Sequence, residues 1–199
     1  MNDSGTRANL IDAARGLFAR CGFKGTTIRA ITSEAQTNLG AVTYHFGSKQ
    51  ALYHAVLDDA TAPIREQVAQ INVDGASAID QIETTVRSIF TILRKQSDIP
   101  RLLLQVLASE EPIPAPIRLT IKNNLAKMTR LVAAGQRDGT VREGSPMLLS
   151  LSFAGQPIFF GIYQKALRES VGLDQTDEDT GAELVDTVVA FIRAGLSAQ

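Results

Sequence analysis

The spacing of the apolar residues is the feature that most constrains this chain. They recur at three- and four-residue steps almost throughout, which is the period of a helix with one buried stripe, and alternating β patterns are essentially absent. Leu10, Ile11, Ala14, Leu17, Phe18 and Cys21 share one face, so a helix is expected over 6–21, with Gly22 as its stop. Thr26-Thr27 opens a short helix that runs to Ala35, with Ile28 and Ile31 as its apolar side. A third short helix covers 38–44. Ser48 caps a longer one whose stripe is Leu52, Val56, Leu57, Ala60, Ile64, Val68 and Ile71, and Pro63 predicts a bend in it. After Val73-Asp74-Gly75 the pattern resumes at Ile79, Ile82, Val86, Ile89 and Leu93. A short apolar helix from Ile99 to Leu107 ends in a proline-rich loop, Glu110 to Pro116. Further helices are expected at about 117–136, 146–170 and 180–197. The expected class is all-α, with about nine helices.

Net charge is −1, which by itself argues against a nucleic-acid partner, but the distribution points the other way. Residues 1–50 carry six basic side chains (Arg7, Arg15, Arg20, Lys24, Arg29, Lys49) against three acidic ones (Asp3, Asp12, Glu34), a balance of +3. Residues 51–199 carry 14 against 18, a balance of −4. Two domains are therefore expected, a small basic one at 1–50 and an acidic one at 51–199. The polar start, MNDSGTRANLIDAAR, does not resemble a signal peptide. No stretch reads as apolar enough to span a bilayer; the best, Met147 to Ile162, is short and broken by Gly155-Gln156-Pro157. A soluble, cytoplasmic protein is expected. One cysteine excludes an intramolecular disulfide framework, and Cys21 reads as an inert buried thiol rather than a redox sensor.

Two short helices joined by a tight turn, after a longer first helix, fit a helix-turn-helix unit, with 38–44 as the helix that would enter the major groove. Its residues Gly40, Ala41 and Thr43 are small enough for close approach to base edges, and Thr43 can also touch a thymine methyl. Asn38 could read an adenine or hold a phosphate. The segment GAVTYHFGSK places Tyr44 and His45 at the end of that helix, where their O–H and N–H suit phosphate oxygens. Phe46 would turn inward. Tyr44 and Phe46 could equally be core residues on periodicity alone. Lys49 brings a full charge to a helix N-terminus, which already favours an anion. Thr26 and Thr27 could act similarly one helix earlier, and Arg29 could reach a base or phosphate, or simply be solvated.

The runs TTIRAITSEA and GAVTYHFGSKQAL resemble the N-terminal domain of the TetR family of bacterial transcriptional regulators, over roughly residues 8–57. The Asn-Leu-Gly-Ala-Val-x-Tyr-His-Phe run, with Gly155-Gln156 followed by aromatics, is also similar to the CerR-like subgroup. The resemblance implies an Ω-shaped homodimer on a near-palindromic double-stranded DNA operator, a C-terminal ligand pocket, and dimerisation through the last two helices. It carries Arg29, Thr43, Tyr44, His45 and Lys49 over as DNA contacts. One departure is Gln36, where the family often has glycine. It suggests a turn that avoids positive φ.

Residues 51–199 hold no motif of comparable specificity. Broad apolar faces in the last two helices (Leu148, Leu149, Leu151, Phe153; Leu184, Val185, Val188, Val189, Ile192) are either buried or paired with another chain, and a four-helix C₂ interface would match a palindrome. Leu103, Val106, Leu107, Phe153, Gln156, Phe159, Phe160 and Tyr163 are candidate walls for a small, mostly apolar effector, although the aromatic run is more often core. No G-x-S-x-G, Cys-His pair, phosphate loop or metal cluster is present, so neither enzyme, cofactor nor metal is expected. The competing reading is a helical small-molecule-binding or interaction module without sequence-specific DNA binding.

Overall fold

The computed structural model describes residues 3–71 and 76–198, so the expected turn at Val73-Asp74-Gly75 lies outside the described residues. Among the described residues, ten helical elements follow one another: α1 (Asp3–Gly25), α2 (Ile28–Glu34), α3 (Gly40–Phe46), α4 (Lys49–Gln70), α5 (Ala78–Lys95), α6 (Asp98–Leu107), α7 (Ala115–Arg137), α8 (Pro146–Ala154), α9 (Gln156–Val171) and α10 (Glu178–Leu196). The chain is all-α, as expected. The additional element arises because the segment expected as one helix over 146–170 divides at Gly155, which caps α8 and precedes α9. Pro157 falls in the first turn of α9, where its missing N–H is tolerated. Taken together, Pro146–Val171 is 26 residues long and, by length and composition, apolar enough to cross a membrane, contrary to the sequence expectation. Leu149, Ser150, Phe153 and Pro157 of this stretch are nevertheless buried inside the protein.

Packing divides the chain into two compact units. The first comprises Met1–Ala62 and Asp98–Leu119, and the second Pro63–Ser97 and Thr120–Gln199. The division at 1–50 and 51–199 follows charge and motif; compactness adds the first part of α4, α6 and the start of α7 to the N-terminal segment. α4 continues through Pro63 without a break in the helix, and the units part at that residue.

In the first unit, Leu10, Ala14 and Phe18 of α1 pack with Ile31 of α2, Val42 of α3 and Leu52, Val56 and Leu57 of α4 as buried residues. α6 lies along α1 and buries Ile99, Leu102, Leu103 and Val106. Arg15 of α1 pairs with Asp98 at the start of α6 and lies 3.6 Å from Asp59 of α4. Gln105 of α6 donates a 3.3 Å hydrogen bond to the Ala19 carbonyl. α1 breaks at Gly22, whose φ of 69° and ψ of 174° are non-helical, at the position where the sequence places a stop. Cys21 is exposed, not buried as its place in the periodicity suggested. The buried stripe steps from Ala14 to Phe18 to Gly22, and a residue one position short of that last step turns outward.

The second unit is built on α5 and α10. Its core joins Ile82, Val86 and Phe90 to Met128, Val132, Leu149, Phe153, Val188, Val189, Ile192 and Leu196. Arg193 of α10 pairs with Asp80 and Glu83 of α5, and Arg87 pairs with Asp186. The Ser77 hydroxyl, followed by the Arg193 guanidinium, holds the Asp80 carboxyl below its ordinary range. The end of α10 is tied down by a 2.8 Å bond from the Arg142 N–H to the Leu196 carbonyl.

Candidate nucleic-acid interface

α2, the turn after it and α3 form the helix-turn-helix, and each end of α2 is built from local hydrogen bonds. Thr27 caps α2, with its Oγ1 accepting from the Ala30 N–H at 3.1 Å. Thr26 does something different. It is buried, and its hydroxyl donates to the Gly22 carbonyl at 2.8 Å. The two threonines, alike in sequence, therefore divide into a cap and an internal tie. Thr26 is not among the solvent-facing candidates.

At the other end, the Thr37 N–H reaches the Thr32 carbonyl (2.9 Å) and the Gln36 N–H reaches the Ser33 carbonyl (3.2 Å). This is the paired bonding of a Schellman stop, which requires a left-handed residue between helix and turn. Gln36 occupies that place with φ of 51°. The expectation that glutamine here signals a turn without positive φ is thus corrected. The geometry is kept, and glutamine accepts the left-handed conformation because the two capping bonds fix it, at a cost of about 1–2 kcal/mol relative to an unstrained residue.

α3 presents its ends differently from its middle. Ala41 and Val42 are buried against α1 and α2, so Ala41 serves the packing, while Asn38, Gly40, Thr43 and Tyr44 are exposed. Tyr44 is 77 % exposed, which excludes the reading of it as a core residue. Its ring meets His45 edge-on at 4.9 Å. Thr6, Thr37, Asn38, Gly40, Ala41, Tyr44 and His45 line an open groove of about 350 Å³. Gly40 leaves room there: a Cβ at this position would lie 3.3 Å from Asn38 Oδ1. Arg29 is exposed on α2.

Ser48 caps α4 by accepting from the Ala51 N–H at 3.1 Å, as the sequence predicts. Lys49 follows, and its Nζ lies 4.3 Å from the centre of the Phe23 ring. Phe23 is braced in turn by Phe18 and Tyr53, at 6.1 and 5.0 Å between ring centres. Burial pushes the Tyr53 hydroxyl up, so it stays a neutral phenol. Phe46 is half-buried and carries Arg7 of α1 on its face, 5.1 Å from the guanidinium carbon.

The structure therefore gathers Thr27, Arg29, Asn38, Gly40, Thr43, Tyr44, His45 and Lys49 on the first unit, with Thr26 and Ala41 behind them. Sequence reasoning missed Thr6, Thr37 and Arg7. Arg7 was present only as one of six cations in the charge count, because its partner ring lies 39 positions along the chain.

Residues 10–56 match the family model of bacterial regulatory proteins of the tetR family. The chain carries the helix-turn-helix domain of the tetR family over these residues. It is a helix-turn-helix, DNA-binding transcriptional regulator. It is 23 % identical over 200 residues to the HTH-type transcriptional repressor NicS of Pseudomonas putida, covering 96 % of this chain and 92 % of NicS. It is 35 % identical over 86 residues to the repressor KstR2 of Rhodococcus jostii, covering 41 % and 42 % of the two chains. In fold it is similar to a proposed fatty acid metabolism regulator of Clostridium perfringens, with TM-score 0.81, 20 % identity, and coverage of 96 % and 100 %.

The residues suggested as effector walls divide between the two units. Leu103 and Val106 fill the first unit and Leu107 is exposed on α6. Phe153 is in the second unit's core, and Phe160 packs against it with its ring 6.1 Å from Phe90. Gln156 is half-buried, while Phe159 and Tyr163 are roughly half exposed and stack at 4.4 Å.

Proposed function

We propose that this tetR-family regulator acts in the cytoplasm as a repressor: a homodimer that reads a near-palindromic operator with α3 and is released by a small, mostly apolar effector. The observation that carries the reading of DNA is the outward set on α3. Tyr44, at 77 % exposure, would be a poor use of an aromatic side chain in a monomer without a partner surface. Beside it, Thr43 is the base reader, Tyr44 and His45 are phosphate donors, and Lys49 and the capped start of α4 hold a further phosphate.

Dimerisation is supported by Leu148 (66 % exposed), Leu151 and Phe191 (70 % exposed), large apolar side chains left outward on α8 and α10. A second copy would cover them, and two-fold symmetry matches a palindrome. The effector part rests on the half-exposed Phe159–Tyr163 stack of α9, whose aromatic faces suit an apolar ligand. Binding would favour a dimer whose reading helices no longer match successive major grooves, roughly 34–36 Å apart. The test is duplex binding as a function of salt for wild type, Lys49→Ala and Thr43→Ala. Affinity independent of salt and of both substitutions would leave the interaction-module reading in its place.

A further inference from the structure

The family motif accounts for Lys49 but not for the pairing of cations with rings that the fold builds around α3. Two cations of the first unit lie on aromatic faces within the range of cation–π attraction: Lys49 on Phe23 at 4.3 Å and Arg7 on Phe46 at 5.1 Å. Neither cation is paired with a carboxylate among the described residues. Both charges therefore remain available to an outside anion while their stems are held in place. A ring restrains a long cationic side chain without neutralising it, whereas a salt bridge would cancel the charge that DNA needs.

Arg7 also stands in the right place. Its neighbour Thr6 lines the open groove with Tyr44 and His45, and Phe46 directly follows His45 in α3. The start of α1 and the end of α3 thus meet at the rim of the groove, where α1 packs on α3. Arg7 is exposed there, and a planar guanidinium offers several N–H donors beside the tyrosine and histidine.

We propose that Arg7 is a DNA-phosphate contact of the reading surface and that Phe46 is its positioning residue, as Phe23 is for Lys49. This rests on the DNA-reading role given above. Phe46 touches no DNA in this scheme; it acts through Arg7, by reducing the conformations the side chain must give up on binding.

The test measures binding to a mixed-sequence duplex across a salt series, with wild type, Arg7→Ala, Phe46→Leu, Phe46→Trp, Arg7→Ala/Phe46→Leu and Lys49→Ala. Arg7→Ala is expected to weaken binding roughly two- to fivefold per copy and to flatten the log–log salt slope by about 0.9 for each copy engaged. Phe46→Leu, with every charge intact, is expected to lose about two- to fivefold at most. Phe46→Trp should retain wild-type binding, and the double variant should bind no worse than Arg7→Ala alone. Arg7→Ala changes only an exposed side chain, so it decides the phosphate contact even if Phe46→Leu loosens the domain. Unchanged affinity and slope in Arg7→Ala, while Lys49→Ala is impaired, would overturn the inference and leave DNA reading standing. Additive losses in the double variant would show that Phe46 acts through packing and not through Arg7. Absence of duplex binding by wild type at low salt would remove both the DNA-reading role and this inference.

Discussion

Gly22 is the position where a single added methyl should have the largest effect on the DNA-binding unit. Its backbone, at φ 69° and ψ 174°, lies where essentially only glycine is found without strain. Holding alanine there costs about 1–3 kcal/mol. The new Cβ would also fall 2.3 Å from Gln105 Oε1, so the Gln105 side chain must move. In moving it gives up its 3.3 Å bond to the Ala19 carbonyl, which is worth about 0.5–1.5 kcal/mol. Stiffening of the unfolded chain offsets about 0.4–1 kcal/mol. The net expectation for Gly22→Ala is a loss of about 0.5–4 kcal/mol, or a melting transition lower by about 1–16 °C for a chain of this size. Urea titration and thermal melting, followed by circular dichroism, measure it. Gln105→Ala in the same background separates the causes, because it removes the collision and leaves the backbone strain. Gly22→Ala within about 0.5 kcal/mol of wild type would mean that neither the backbone nor the Gln105 contact at Gly22 is strained by a methyl group. Full recovery in the double variant would show that the collision, not φ, sets the cost.

Other expectations follow from the same geometry. Gln36→Val should destabilise by about 1 kcal/mol or more, since a β-branched residue tolerates the left-handed stop less well than glutamine; equal urea midpoints would contradict the Schellman assignment. Thr43→Ala should change preference at one or two base pairs more than overall affinity, as judged by a panel of single-base operator variants, whereas a uniform loss would make Thr43 a positioning residue. Leu148→Glu with Phe191→Glu should convert a particle of twice the 21.4 kDa chain mass into a monomer by light scattering at micromolar protein; a monomeric wild type would contradict the interface. Asp80 is held below its ordinary range by Ser77 and Arg193, so the stability it adds is present above its unfolded pKa, near about 4, and is lost as pH falls through the lower folded value. Arg193→Ala should therefore move acid unfolding to higher pH, with an effect that shrinks in high salt.

Much of this was legible in the sequence where one physical cue acts alone. The stripe of α1, its stop at Gly22, the Ser48 cap and the proline-rich loop before α7 each follow from local chemistry. The helix-turn-helix was legible because small residues, a tyrosine–histidine pair and a capped lysine occur at one spacing. Positions at the edge of a stripe were not legible. Cys21 is one residue short of the buried line and faces out, although period alone puts it inside. Thr26 and Thr27 carry equal capping propensity, and only the Gly22 carbonyl decides which is buried. Gln36 has no local signal for positive φ; the bonds from its own and Thr37's N–H to α2 impose it. Arg7 shows the general difficulty, since its contact with a ring depends on the packing of α1 on α3.

The central claim is that this chain reads a particular DNA sequence as a symmetric pair. Selection of random duplex DNA by the purified protein, followed by sequencing of the bound pool, tests it most directly. An enriched near-palindrome is expected, with half-sites about one helical turn, or a multiple of it, apart. A bound pool with no enriched sequence, held only by a salt-sensitive attraction common to all duplexes, would contradict it.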